Sequence, residues 1–391
     1  MSFISIENFE KKITIQRFLG TVKGSAKSPS VIVIGGIHGN ESAGVFALHK
    51  VIEEIEEQEI KFNGNFYALS GNLNSLKKKV RFDDIDLNRI WTHEDIDYIK
   101  LSGTKFHTEI DEQIAIYDII KEILSKDKGP FYFIDLHTTS AETRPFITIS
   151  DSLNNRKFSS GFSLPIVLGI EEFLDGPLLT YINEFGHVAM GFEGGQHEDP
   201  KSIDNCEAFI WLSLVKSGCI SKKEITSFSF YENILSEYTK KTDFYEIDFR
   251  YLVKKSEDFK MLDGFRNFEE ISKGQVVALS NDKEVKTTMD GLIFMPLYQK
   301  QGKEGYFIIT KISNFWLGLS ITVRKLKLYH ILRLLPGIKK DKLNDHTLIV
   351  NPRTARFLAI EIFHLFGYRK QVVKDDKLHF MKRDRKVSEF K

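Results

Sequence analysis

The chain has 391 residues, of which 42% are hydrophobic and 28% are charged, and its formal net charge at pH 7 is +1. This length exceeds what a single small core needs, so we expect two domains with room for an appendage. Because the net charge is close to zero, nothing in the composition attracts nucleic acid or an anionic membrane, and neither is expected as a partner.

The first 225 residues alternate between predicted strands and predicted helices. A continuous apolar run, typical of a strand buried on both faces, occupies residues 31–34, and further strands are predicted over 65–69, 131–136 and 187–192. Apolar residues at helical spacing predict helices over residues 41–57, 111–124 and 207–217. This alternation predicts an α/β fold with a mostly parallel or mixed sheet flanked by helices. Ligand sites of such sheets lie beyond the carboxyl ends of the strands, where His38, His137 and Glu193 fall.

The pattern changes after about residue 225. Short alternating segments separated by turn signals predict a small all-β module, with strands near 244–249, 275–279, 291–296 and 306–310. The remaining residues are basic, with a helix predicted over 354–366. We therefore predict a catalytic domain at 1–225, a β module at 226–325 and a basic C-terminal α/β extension at 326–391.

Three metal-binding side chains follow two of the predicted strands. His38 and Glu41 have the spacing H-x-x-E, and His137 ends the run FYFIDLH. Two imidazoles and one carboxylate form the ligand set of an open zinc site, which keeps a fourth position for water. The spacing alone is common, and Glu41 also fits a helix N-terminus, but three glycines in the same turn favour the metal site. Asp135 either accepts a hydrogen bond from a ligand imidazole or caps a turn.

Two further segments carry groups suited to catalysis. Arg81, Asn88 and Arg89 lie in one charged loop, where an arginine could hold a carboxylate or stabilise an oxyanion. Glu193 lies between glycines at a strand end and fits the carboxylate that takes a proton from water and returns it to a leaving amine. The alternatives are a solvated loop and an ordinary loop glutamate. His197, four positions after Glu193, is a further candidate for the pocket.

Together these segments resemble the succinylglutamate desuccinylase/aspartoacylase family, within the wider zinc carboxypeptidase clan. The matching motifs are G-G-I-H-G-N-E at 35–41, R-x-x-x-x-D-L-N-R at 81–89, D-L-H-T-T at 135–139 and G-F-E-G-G at 191–195. They occur in the family's order with similar gaps, and the resemblance covers about residues 1–225. It implies one Zn²⁺ per chain held by His38, Glu41 and His137. Glu193 would act as general base and then acid, and Arg81 would polarise the scissile carbonyl.

The resemblance also implies the substrate contacts. Asn88 and Arg89 would bind a free carboxylate, and a lipoyl-like β module would contribute a tyrosine, for which Tyr298 is the candidate. Aspartoacylase-type members carry an arginine about ten residues before the catalytic glutamate, where this chain has Asn183. Loss of such a charge-assisted pair weakens selection for a diacid by roughly 1.5–3 kcal/mol. Arg144 could compensate, unless it is a surface residue.

The predicted function is a zinc-dependent amidohydrolase of the deacylase kind, which cleaves the amide bond of an N-acyl amino acid or a similar small carboxylate-bearing amide. Its partner would be that small-molecule substrate, and homo-oligomerisation is left open. One alternative is a carboxypeptidase or peptide amidase of the same clan. Another is a non-catalytic metal-binding scaffold that serves interactions. The chain shows no basic leader and no run of about 18 apolar residues, so we expect a cytoplasmic protein without a membrane span.

Overall fold

The computed structural model describes residues 3–8, 11–24, 27–102, 108–239, 241–355, 360–374 and 376–390. The helices of these residues are α1 Ala43–Glu57, α2 Leu73–Lys78, α3 His93–Ser102, α4 Thr108–Lys126, α5 Leu153–Ser159, α6 Leu178–Glu184, α7 Lys201–Lys216, α8 Phe228–Ser236, α9 Asn314–Lys325 and α10 Ile360–Leu365. None of these described helices combines the length and apolarity needed to cross a bilayer.

The strands are β1 Ile4–Asn8, β2 Lys11–Ile15, β3 Phe18–Val22, β4 Ser30–Gly35, β5 Asn65–Ser70, β6 Phe131–Thr139, β7 Phe146–Ile149, β8 Ile166–Leu168, β9 Val188–Gln196, β10 Phe244–Leu252, β11 Phe259–Met261, β12 Glu269–Ile271, β13 Val276–Ser280, β14 Lys283–Lys286, β15 Gly291–Phe294, β16 Glu304–Lys311, β17 Ile338–Lys340, β18 Thr347–Val350, β19 Tyr368–Lys374 and β20 Lys377–Lys382. β1 and β2 form an antiparallel pair of their own.

The main sheet is mixed, and its strand order is β12-β15-β16-β10-β8-β7-β9-β6-β4-β5-β3. At its centre β4, β6 and β9 run parallel, so their carboxyl ends meet at one edge. Side chains alternate between the two faces of β4: Val31 and Val33 pack in a core with α1 and α7, whereas Ile32 and Ile34 pack in another with α4 and α6. The predicted α/β fold with a mixed sheet flanked by helices is confirmed.

The main sheet continues through the segment predicted as a separate β module. β10 pairs parallel with β8, with Phe244 opposite Ile166, and β16, β15 and β12 extend the sheet beyond it. Only β11, β13 and β14, of the described strands in this segment, form a small antiparallel sheet. A lipoyl-like module is therefore not confirmed. The domain boundaries stay predictions. The main sheet contains strands from both sides of the boundary predicted near residue 225.

The last part of the chain, from α9 to Phe390, forms an α/β unit that we call the C-terminal region. Its sheet is antiparallel, in the order β17-β18-β20-β19. Of the helix predicted over residues 354–366, positions 356–359 lie outside the described residues, and α10 begins at Ile360. The terminal segment is not an isolated tail, because Phe390 packs against the rings of Tyr117, Tyr181 and Phe185.

A buried ionic cluster joins the C-terminal region to the main sheet. Asp151, two residues after β7, is fully buried and accepts hydrogen bonds from three arginines. The Nε atom of Arg156 lies 2.6 Å from its Oδ1, Nη1 of Arg324 lies 3.1 Å from Oδ1, and Nη2 of Arg369 lies 2.8 Å from Oδ2. Two of these arginines belong to α9 and β19. Since a buried carboxylate needs compensating charge, the two parts of the chain depend on each other.

Candidate metal centre

A glycine-rich turn after β4 aims two side chains at the carboxyl edge of the sheet. Gly36 has φ +75°, a conformation that side chains disfavour. A Cβ at Gly39 would lie 2.0 Å from the carbonyl carbon of Ser75, so no larger residue fits there. Within this turn His38 and Glu41 are both 3% exposed. The turn therefore delivers an imidazole and a carboxylate into a buried site.

The three side chains predicted to bind zinc converge. Each of His38, Glu41 and His137 offers one ligand atom, and these atoms lie within 4.8 Å of one another. The two oxygens of Glu41 contact one imidazole each: Oε1 lies 2.9 Å from Nδ1 of His38, and Oε2 lies 2.8 Å from Nδ1 of His137. The ring centroids are 5.1 Å apart. Both Nδ1 atoms thus face the same small volume.

The other nitrogen of each imidazole is held by an aspartate. His38 Nε2–H donates to Oδ1 of Asp86 at 3.1 Å, and His137 Nε2–H donates to Oδ2 of Asp135 at 2.7 Å. A metal-binding imidazole commonly donates its second N–H to a carboxylate, which fixes the tautomer and leaves the first nitrogen free for the ion. The sequence analysis singled out Asp135 but missed Asp86. Asp86 lies two residues before Asn88 in the motif R-x-x-x-x-D-L-N-R, and this position could have identified it.

The electrostatics of the site favour a bound cation. Burial by itself would raise the pKa of Glu41, but His38 and His137 hold it well below the usual value. Oδ1 of Asp135 and Oε2 of Glu193 are buried, and among the described residues neither has a hydrogen-bond partner. Because buried acceptors need compensation, a divalent cation would complete this set of carboxylates and imidazoles. The residues present fit a zinc ion, whose preferred ligands are those of this site.

Glu193 lies next to His137 in the sheet. The two residues are partners in the parallel register of β6 and β9, and Glu193 is 6% exposed. Burial raises the pKa of Glu193 to about 8; the charge on His137 opposes this rise, and Glu41 adds to it. A carboxyl group with a raised pKa at a buried site is suited to accept and return a proton.

Arg81 lies beside the three converging side chains. Its Nη1 is 3.3 Å from Oε1 of Glu41, and its Nε is 3.3 Å from Oδ2 of Asp86. The backbone also contributes, since the carbonyl of Arg81 accepts a hydrogen bond from Gly39 N–H at 3.1 Å. This cation is therefore held where it could stabilise negative charge on an oxygen near the metal site.

Asn88 and Arg89 lie in a short helical turn, Leu87–Arg89. Both residues line a cavity that is also lined by His38, Glu41 and His137. Oδ1 of Asn88 accepts a hydrogen bond from Leu178 N–H at 3.0 Å, which orients its side chain. Nη2 of Arg89 lies 3.5 Å from Oε2 of Glu304 on β16. The sequence reasoning missed Glu304, because only the folded sheet brings this strand to the metal site.

Charged and apolar side chains both line the cavity. The charged and hydrogen-bonding side chains include His38, Glu41, Arg81, Asn88, Arg89, His137, Glu193, His197 and Glu304. The apolar side chains are Ile149, Ile170, Leu174, Pro177, Leu179, Ala189, Met295, Leu297 and Phe307. Among the described lining residues, the fixed cations are Arg81 and Arg89, so no third one is available for a second substrate carboxylate.

Two residues predicted to bind substrate are not brought to this cavity. The hydroxyl of Tyr298 donates to the carbonyl of Leu262 at 2.7 Å and accepts from Phe265 N–H at 3.0 Å. The guanidinium of Arg144 lies 4.8 Å from the ring centroid of Phe268. Neither is among the described residues that line the cavity.

His197 and Gln299 do line the cavity. The side-chain oxygen of Gln299 lies 3.2 Å from Nε2 of His197, and Nδ1 of that ring lies 2.8 Å from Oγ1 of Thr138. His197 was a candidate from the sequence, whereas Gln299 was not singled out. Asn183, at the position of the family's second arginine, is instead bonded to Asn155 and to the carbonyl of Leu179.

These features define an α/β protein with a buried candidate metal centre at the carboxyl edge of a mixed sheet. Residues 27–197 match the family model described as the succinylglutamate desuccinylase/aspartoacylase catalytic domain. Over this region, which is less than half of the chain, the protein is similar to the succinylglutamate desuccinylase/aspartoacylase family.

Individual relatives agree with this similarity. A succinylglutamate desuccinylase of Pseudoalteromonas atlantica is 24% identical over 282 residues, which are 68% of this chain and 76% of that protein. An N-acyl-aromatic-L-amino acid amidohydrolase of Xenopus laevis is 31% identical, but the match covers only 28% of this chain and 34% of that protein. Among solved structures, a Rhodobacter sphaeroides succinylglutamate desuccinylase/aspartoacylase superposes with a TM-score of 0.55 at 15% identity, over 75% of this chain and 88% of that one. This structural likeness shows a common fold.

Proposed function

We propose that the protein is a zinc-dependent amidohydrolase that cleaves an N-acyl amino acid into a carboxylic acid and an amine. The observation that carries this proposal is the contact of both Nδ1 atoms, from His38 and His137, with the two oxygens of Glu41. Both Nε2 atoms meanwhile donate to aspartates. Similarity to this family supports the reaction class, since the named relatives are a desuccinylase and an amidohydrolase.

The proposed chemistry divides between the metal and the chain. When bound, zinc would lower the pKa of a water molecule and polarise the scissile carbonyl. Glu193 takes a proton from the attacking water as its oxygen bonds to the carbonyl carbon. The guanidinium of Arg81 stabilises the negative charge that develops on the carbonyl oxygen. When the carbon–nitrogen bond breaks, Glu193 returns the proton to the leaving nitrogen.

Substrate binding would use both the charged and the apolar lining of the cavity. Arg89 and Asn88 hold the free carboxylate of the amino acid, because a guanidinium fork matches a carboxylate. The apolar lining, which includes Leu174, Leu179 and Phe307, accepts an apolar group of the substrate. A second carboxylate would be buried there without a partner, so N-acyl derivatives of apolar amino acids are favoured over N-acylaspartate.

The test is a hydrolysis assay of the purified full chain, after metal removal and after reconstitution with zinc. Substrates are N-acetylated phenylalanine, leucine and aspartate, with the carboxamide of the first as a control for the carboxylate contact. We expect no turnover without metal, restored turnover with zinc, and preference for the apolar substrates that carry a free carboxylate. A zinc-loaded protein that hydrolyses none of these substrates or short peptides would contradict the proposal.

A further inference from the structure

A second cavity lies between the main-sheet part of the protein and the C-terminal region. Its volume is ≈ 470 Å³, and it shares no lining residue with the metal-centre cavity. Side chains near α5 and α6, including Asn154 and His187, form one wall. Six cationic residues of the C-terminal region line it: Arg324, Lys327, Lys382, Arg383, Arg385 and Lys386. Asp384 is the one acidic residue among the described lining residues. We call this cavity the basic cleft.

Internal partners neutralise only some of these cations. Arg324 is bonded to Asp384, with Nε 2.8 Å from Oδ2, and also to Asp151. Nη1 of Arg385 donates to the carbonyl of Glu184 at 2.9 Å and lies 3.7 Å from Oε2 of the same residue. Nε of Arg383 lies 3.2 Å from a carboxylate oxygen of Glu171. The buried Nη2 of Arg383, however, has no hydrogen-bond acceptor among the described residues. This residue is 5% exposed, so part of its hydrogen-bonding capacity is buried and unused.

The three lysines of the basic cleft have no carboxylate partner among the described residues. The ammonium of Lys382 lies 3.5 Å from the ring centroid of Tyr329, a cation–π contact that leaves its donors available. Lys327 and Lys386 are exposed at the rim of the cavity. The cleft therefore combines a buried guanidinium donor with three ammonium groups that no described carboxylate neutralises.

These cations repel one another. Burial lowers the pKa of the Arg385 guanidinium; the charge of Glu184 opposes this, and the charge of Arg383 adds to it. The pKa of His346 is likewise lowered by burial and then by Arg385 and Lys382. An anion placed among these groups would relieve the repulsion and supply the missing acceptor.

We propose that the basic cleft binds a small, soluble, phosphate-bearing anion. Several guanidinium and ammonium donors lining one concave site suit a multiply charged phosphate group better than a single carboxylate. The volume lies within the range of small-molecule pockets, about 300–1,000 Å³. The ligand would bridge the main-sheet part and the C-terminal region, because each supplies one wall. This site is separate from the proposed amidohydrolase reaction and does not depend on it.

The proposal is tested by isothermal titration of the full chain with pyrophosphate, compared with citrate as a carboxylate of similar charge. We expect saturable binding of pyrophosphate with a Kd below about 1 mM, and weaker binding of citrate. The double variant Lys327→Ala/Lys386→Ala changes two exposed residues and should bind pyrophosphate at least about tenfold more weakly. The matched control Lys255→Ala/Lys273→Ala changes two exposed lysines far along the chain and should bind as the parent does.

Three results would overturn the site. They are the absence of saturable pyrophosphate binding, equal affinity in the Lys327→Ala/Lys386→Ala variant and the parent, and tighter binding of citrate than of pyrophosphate. A flotation assay with phosphatidylglycerol vesicles distinguishes the source of the phosphate. Vesicle binding without pyrophosphate binding would replace the soluble ligand by a lipid surface and would contradict the proposal.

Discussion

Nη2 of Arg89 lies 3.5 Å from Oε2 of Glu304, so a strand from beyond residue 300 holds a carboxylate against the arginine proposed to grip the substrate. Both side chains are largely buried, with exposed fractions of 18% and 16%. A substrate carboxylate must therefore share Arg89 with Glu304 or displace it. Under the proposed function, Glu304 would therefore influence substrate affinity in its own right.

Glu304→Gln is expected to lower KM for substrates with a free carboxylate, because a competing negative charge is removed from Arg89. A gain of about 1 kcal/mol corresponds to about a fivefold lower KM. Steady-state kinetics with an N-acyl amino acid and its carboxamide measure this change, and the carboxamide should respond little. A KM that rises for the free acid would mean that Glu304 orients Arg89 instead of competing with the substrate.

Glu193→Gln is expected to reduce kcat by about 10²–10⁴-fold, the usual contribution of a general acid–base group. Zinc content should stay at the parent level, because Glu193 is not one of the three converging ligands. Metal analysis and kinetics on the same sample separate these two effects. The matched control is Glu237→Gln, at an exposed position after α8, which should keep full activity. Full turnover in Glu193→Gln would refute its proposed role.

Asp86→Asn and Asp135→Asn are each expected to weaken zinc affinity by about 10–100-fold, because each aspartate fixes the tautomer of one ligand imidazole. Competition with a chromophoric chelator measures the affinity. The change at Asp86 is the sharper test, since this carboxylate also contacts Arg81. Burial by itself would raise the pKa of Asp86, but His38 and Arg81 hold it well below the usual value. Unchanged zinc affinity in both variants would remove the case for the proposed hydrogen-bonded ligands.

Asp151→Asn is expected to lower the free energy of unfolding at pH 7 by about 3–5 kcal/mol, because it leaves buried arginines without their counter-charge. Burial by itself would raise the pKa of Asp151, but Arg156, Arg324 and Arg369 hold it well below the usual value. Since the folded-state pKa is depressed, the stabilisation is complete above the unfolded-state pKa of about 3.9 and is lost as pH falls through the folded-state value.

Urea unfolding of the parent and Asp151→Asn between neutral and acid pH checks this dependence. The difference between the two proteins should be constant from pH 7 to about pH 5 and should shrink at lower pH. Asp118→Asn, on the exposed face of α4, is the control and should follow the parent throughout. A difference that grows as the pH falls would contradict the assigned sign.

The sequence predicted the parts of this structure that have a local pattern. The continuous apolar run at Val31 marks a strand buried on both faces, and the motifs around His38 and His137 mark the side chains that converge at the candidate metal centre. The carboxyl ends of adjacent parallel strands meet, so these distant groups could be placed together before the fold was known. The residues themselves suggested roles for Glu193 and Arg81, the family resemblance implied the same roles, and both roles are proposals.

The remaining features depend on contacts between distant segments. Pairing of Phe244 with Ile166 leaves no signature in either strand, so the continuous sheet was predicted as two domains. Gln299, which lines the cavity, immediately follows Tyr298, the residue predicted from the resemblance. In an irregular segment no periodic pattern indicates which of two adjacent residues faces a cavity. Two of the three arginine partners of Asp151, Arg324 and Arg369, also come from positions more than 150 residues away in the chain.

The shared sheet limits how the protein can be divided. A fragment that stops before Phe244 would retain every proposed zinc ligand and Glu193. It would, however, lose β10, so that β8 would become an edge strand of the sheet. It would also lose Leu297, Glu304 and Phe307, and with them one wall of the substrate cavity. Such a truncated protein would be prone to self-association through its open strand. Even if it bound metal, its selectivity among amides would not be that of the intact enzyme.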